Sequence, residues 1–77
     1  MRLGRVTGAV WATKKCPALA GQSFLRVCCD GTQIVAADLV GAGEGDSVIL
    51  TFGGAARLER LSPVDAAIIA ILDESEA

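Results

Sequence analysis

Glycines 41, 43 and 45 alternate within Val35-Ala-Ala-Asp38-Leu-Val-Gly41-Ala-Gly43-Glu-Gly45-Asp-Ser-Val-Ile-Leu50, and glycine-rich turns are where proteins commonly cradle phosphate. A dinucleotide loop needs G-x-G-x-x-G between a strand and a helix, because the pyrophosphate rests on the helix N-terminus. Here the spacing is G-x-G-x-G, and Asp46-Ser-Val-Ile-Leu50 reads as a further strand. A P-loop needs Gly-Lys-Ser/Thr, and no Lys follows Gly45. The run therefore reads as a turn between strands, with Gly41, Gly43 and Gly45 supplying positive φ or close packing. Asp38 and Asp65 offer carboxylates for acid–base work. Asp bonds readily to nearby backbone N–H groups, so each is expected instead to cap or brace a turn.

The other reactive side chains are few. Cys16, Cys28 and Cys29 show no C-x-x-C spacing, and His is absent. On a strand, Cys28 and Cys29 point to opposite faces, so they neither share a metal nor bond each other easily. Without His, the commonest general base and metal ligand is missing. The cysteines are expected to be small, buried, reduced thiols, with no catalytic, cofactor or metal role.

The 77-residue chain has room for one small domain, residues 1–77, with a thin core. Hydrophobic residues make up 52% and charged residues 21%, which excludes disorder and predicts that excess apolar surface lies in subunit contacts. No apolar run approaches the ~20 residues of a membrane span, and no signal-peptide pattern is seen, so a soluble cytoplasmic chain is expected. The net charge is -2, with one Trp, two Phe and no Tyr, which argues against a nucleic-acid partner.

The elements that must position these residues are mostly strands. Gly4 to Thr13 alternates, with Val6, Gly8, Val10 and Ala12 on one face; Leu3 is out of phase, and Gly8 suggests a bend or barrel corner. Lys14 to Gly21 reads as a loop. Asp30-Gly31 predicts a two-residue hairpin between Ser23–Cys29 and Thr32–Ala37, pairing Cys29 with Thr32, Val27 with Ile34 and Leu25 with Ala36 toward the core. The opposite face carries Phe24, Arg26, Cys28 and Val35, a mixed surface suited to a subunit interface. Asp46 to Phe52 is another strand. For Ser62 to Asp73 local rules favour a helix, because Ser62-Pro63 resembles a helix start and the segment is rich in Ala. Ile68, Ile69 and Ile71 also allow a buried strand. Many short strands with glycine corners suggest a small barrel. Trp11 is either a contact hot spot or a partly buried barrel aromatic, and Glu74 and Glu76 read as a solvated tail.

Five blocks, in order, resemble the bacterial microcompartment vertex family, the pentameric shell proteins of carboxysomes and ethanolamine-utilisation-type metabolosomes. They are Met1-Arg-Leu-Gly-Arg-Val-Thr-Gly8-Ala-Val-Trp-Ala-Thr13-Lys, Leu19-Ala-Gly21-Gln-Ser-Phe-Leu25, Val35 through Val48, Gly53-Gly-Ala-Ala-Arg57, and Pro63 through Asp73. The resemblance implies a mainly β fold, a small five-stranded OB-like β-barrel with one short helix near Gly54 to Glu59. It makes Ala66 to Leu72 a strand, against the local preference. It further implies a cyclic homopentamer that caps fivefold shell vertices among hexameric shell proteins, with a narrow axial channel, a structural role and no enzymatic one. Gly53, Gly54, Ala55, Ala56 and Arg57 are then expected at the pore or a subunit interface. The family commonly carries Ser where this chain has Gly54, so any hydroxyl there is missing. The alternatives are an OB-type nucleic-acid-binding module and a small ligand-binding barrel using Asp38, Asp65 and a cysteine.

Overall fold

The structure, a computed structural model, describes residues 1–73; Glu74 and Glu76 lie outside the described residues. Five strands, β1 (Arg2–Val10), β2 (Ser23–Cys29), β3 (Thr32–Asp38), β4 (Ser47–Phe52) and β5 (Ala66–Ile71), close into a barrel in the order β1-β2-β3-β5-β4. All neighbours are antiparallel except β3 and β5. Closure removes free sheet edges, which suits a chain this apolar.

The β2–β3 hairpin has the register read from the sequence: Cys29 opposes Thr32, Val27 opposes Ile34 and Leu25 opposes Ala36. Asp30 and Gly31 both have positive φ, 52° and 78°, as the tightest hairpin turns require. Alternation along both strands sends Leu25, Val27, Cys29 and Ala36 inward to join Val6, Val48, Leu50, Ala66 and Ile68 in the core. On the outer face Arg26 and Val35 are exposed, while Phe24 is half-buried.

Two expectations need correction. The first is the alternation of β1, which begins at Arg2 and ends at Val10. Val6 opposes Val27 but Gly8 opposes Arg26, so Thr7 is an extra, bulged residue. The bulge inverts the pleat, and Val10 falls opposite Phe24 on the outer face instead of continuing the Val6 face. Leu3, out of phase in the sequence, is an outward residue, 65% exposed.

The second is the helix favoured locally over Ser62 to Asp73, because Ala66–Ile71 is β5. It lies between β3 and β4 with Ala66, Ala67 and Ile68 all buried. A strand covered on both faces loses its period-2 signature, and tertiary pairing overrides the helix preference of alanine. Ile69 is a second bulge, since Leu50 opposes Ile68 while Ile49 opposes Ala70.

Outside the barrel a smaller apolar cluster forms. Ala37 of β3 and Ala67 of β5 pack with Ala56 of the Gly53–Arg57 3₁₀ helix, flanked by Phe24, Leu39 and Val64. The three alanines are at most 3% exposed, so the short helix lies flat on the parallel β3–β5 junction.

Candidate assembly surface

The Gly53–Arg57 segment is built from small residues for a visible reason. Phe52 ends β4 in extended conformation, and Gly53 then turns at φ +61°, where a side chain would be strained. The Gly53 N–H donates to the Asp65 carbonyl at 2.9 Å, tying the helix start to the entry of β5. Ala56 points into the outer cluster, whereas Gly53, Gly54 and Ala55 are exposed. Arg57 Nη1 donates to the Val64 carbonyl at 2.8 Å and pins the far end of the following connection. A Cβ on Gly54 would come no nearer than 4.0 Å, to Arg57 Nη2, so a small side chain fits there.

The glycine run after β3 is an anchored corner. Asp38 Oδ1 accepts from the N–H groups of Val40, Gly41 and Ala42 at 3.1, 3.0 and 3.2 Å. Gly41 and Gly45 have φ of +80° and +91°. Gly43 has neither a positive φ nor a close neighbour, so within the single subunit nothing requires glycine there. Asp46 Oδ2 accepts from the Gly43 N–H at 2.8 Å, and Arg5 Nη1 donates to the Gly45 carbonyl at 2.8 Å. The chain then enters β4 directly, with no helix start to hold a phosphate.

The carboxylates serve different turns. Asp38 braces the corner with its side chain, while exposed Asp65 contributes its backbone carbonyl to Gly53. Among the described residues no group of three His, Cys, Asp or Glu side chains is placed to hold a metal. The cysteines are all free, but only Cys29 is buried; Cys28 is half-buried and Cys16 is exposed in the loop after β1, contrary to expectation. Trp11 is 90% exposed, which rules out the partly buried barrel aromatic. At the hairpin tip Arg2 pairs with Asp30 and lies 5.9 Å from the Phe52 ring centroid. The hydrogen bond to Asp30 and then its charge hold the Arg2 guanidinium above its ordinary pKa.

What the surface offers is apolar contact. Leu3 opposes Ile49 and Ile49 opposes Ala70, so an apolar row crosses β1, β4 and β5 on the outer face, with Leu3 exposed and Ile49 and Ala70 half-buried. Leu58 and Leu61, 85% and 89% exposed, stand on the connection after the 3₁₀ helix. In the sequence, an aperiodic Leu-x-x-Leu among charged residues carries no signal beyond its apolarity. Large exposed apolar groups on a small chain mark contact surface, not a reaction centre.

The comparisons with known proteins agree with this. Residues 1–73 match the family described as ethanolamine utilisation protein EutN/carboxysome. The bacterial microcompartment shell vertex protein PduN of Salmonella typhimurium is 41% identical over 95% of this chain and 96% of its own. The carboxysome shell vertex protein CcmL of Synechococcus elongatus is 43% identical, covering 95% of this chain and 84% of that relative. Among solved structures, the GrpN pentameric microcompartment shell protein from Rhodospirillum rubrum superposes with a TM-score of 0.85 at 40% identity, covering 95% of this chain and 93% of that one. A closed five-stranded barrel, matched along nearly its whole length, places this chain in the EutN/carboxysome family of microcompartment shell vertex proteins.

Proposed function

We propose that the chain is a structural subunit that closes into a homopentamer and caps the fivefold vertices of a bacterial microcompartment, in the shell and within the cytoplasm. The observation that carries this reading is the match of the whole barrel to a pentameric shell protein, at TM-score 0.85 and 40% identity. A head-to-tail contact whose rotation closes produces a ring, and apolar patches such as Leu3–Ile49–Ala70 suit such burial.

Within the ring, residues 1–77 act as one vertex domain. The Gly53, Gly54, Ala55, Ala56 and Arg57 segment faces the fivefold axis or the adjoining subunit. Its small exposed residues let copies approach and leave a narrow opening. Asp38, Gly41, Gly43, Gly45 and Asp65 shape the turns that support it. Hexameric shell proteins are the outer partners, and the chain has no catalytic, nucleic-acid or membrane role. Its net charge of -2 supports the exclusion of nucleic acid.

Deleting the gene tests the reading in cells. Electron microscopy is expected to show elongated or leaky compartments; closed, normal shells in a strain lacking any paralogue would contradict it.

A further inference from the structure

The connection between the 3₁₀ helix and β5 is fastened to a loop far away in sequence. Arg60 Nη2 donates to the carbonyls of Ala18 and Ala20, at 3.2 and 2.6 Å. Ser62 Oγ donates to Gln22 Oε1 at 3.1 Å, and both side chains are buried. With the bond from Arg57 to Val64, the connection is held at three places within a few residues. Such fastening orders backbone that would otherwise be free, at a cost of about 1–2 kcal/mol per residue.

Leu58 and Leu61 are nonetheless left outside, on either side of Arg60. A groove of about 240 Å³ is lined by Leu39, Val40, Ile69 and the connection's own Glu59, but by neither leucine. Burying a leucine is worth roughly 1.5–3 kcal/mol, so leaving both outside is unfavourable for the single subunit. The Arg60 and Ser62 bonds instead draw the segment toward Ala18–Gln22.

We propose that Arg60 is a positioning residue for ring closure: by clamping the connection to Ala18 and Ala20, it presents Leu58 and Leu61 to an adjoining copy of this chain. A second copy is the fitting occupant because the leucines continue directly from the Gly53–Arg57 segment, and the inference rests on the ring reading of that segment. The clamp directs Nη2 to two carbonyls of its own chain, so in this proposal Arg60 acts through the leucines it positions.

Sedimentation velocity over a dilution series tests this on the full chain, with circular dichroism to check that each variant is folded. Arg60→Ala is expected to raise the concentration at which half the rings dissociate by about tenfold, the scale of losing charge-assisted hydrogen bonds. Arg60→Lys, which keeps a cation but not the planar fork, is expected to recover part of that loss. Leu58→Ala with Leu61→Ala is expected to weaken rings at least as much, and adding Arg60→Ala to that background to change little, because residues acting through one another are non-additive. Equal effects of Arg60→Ala in both backgrounds, or none in the pentameric wild type, would overturn the role of Arg60. A wild-type chain that forms no pentamer would overturn the ring reading itself.

Discussion

Gly4 points into the barrel, and the space a side chain would need is taken. A Cβ there would lie 2.6 Å from Val27 Cγ1, 3.0 Å from Leu50 Cδ1 and 3.1 Å from the Cys28 carbonyl. The backbone of β1 therefore sits close against the core residues of β2 and β4, which lets so small a barrel be filled by Val and Leu. Gly4→Ala is expected to destabilise the chain by about 1–3 kcal/mol, read from the denaturant midpoint, with the fold retained. An unchanged midpoint would mean that β1 stands further from the core. Asp38 illustrates the other way single residues act here, because three N–H groups converge on one carboxylate oxygen. That oxygen is committed to bracing the turn after β3.

At the scale of elements, the hairpin was readable and β5 was not, and the physical reasons differ. Asp30-Gly31 and the alternation around it fix turn and register together, so the sequence carries each pair of β2 and β3. In β1 the Thr7 bulge shifts the phase by one residue, and nothing about a threonine announces a bulge. In β5 the residues facing the outer cluster are as buried as those facing the core, so alternation is lost, and helix preference spoke alone. The resemblance to a known family supplied the strand that local rules withheld. The Gly53–Arg57 motif came by the same route, whereas the clamp from Arg60 to Ala18 and Ala20 spans 40 or more residues and leaves no local trace. The alanine cluster gives this level its own test. Ala67 is fully buried between Ala37 and Ala56, so Ala67→Leu is expected to lift the 3₁₀ helix off the barrel. Hydrogen exchange of amides 55–58 would then quicken, with a stability loss of about 1–3 kcal/mol. Unaltered exchange would show that the helix does not depend on this packing.

The whole molecule has a thin core and several large apolar side chains on its surface. Its fully buried large side chains are Leu50, Ile68, Val6, Val27 and Val48, while Leu3, Trp11, Leu58 and Leu61 stand exposed. A chain this size folds more securely when neighbours cover such groups, because anything that binds only the native state stabilises it. Assembly that covers these groups and folding stability are thus linked. The most direct measurement of the central claim is native mass spectrometry of the purified chain at micromolar concentration. A dominant species of five copies of the 7.9 kDa chain, about 40 kDa, is expected, since a closed head-to-tail ring has a fixed number of subunits. A predominantly monomeric, dimeric or tetrameric species would contradict it.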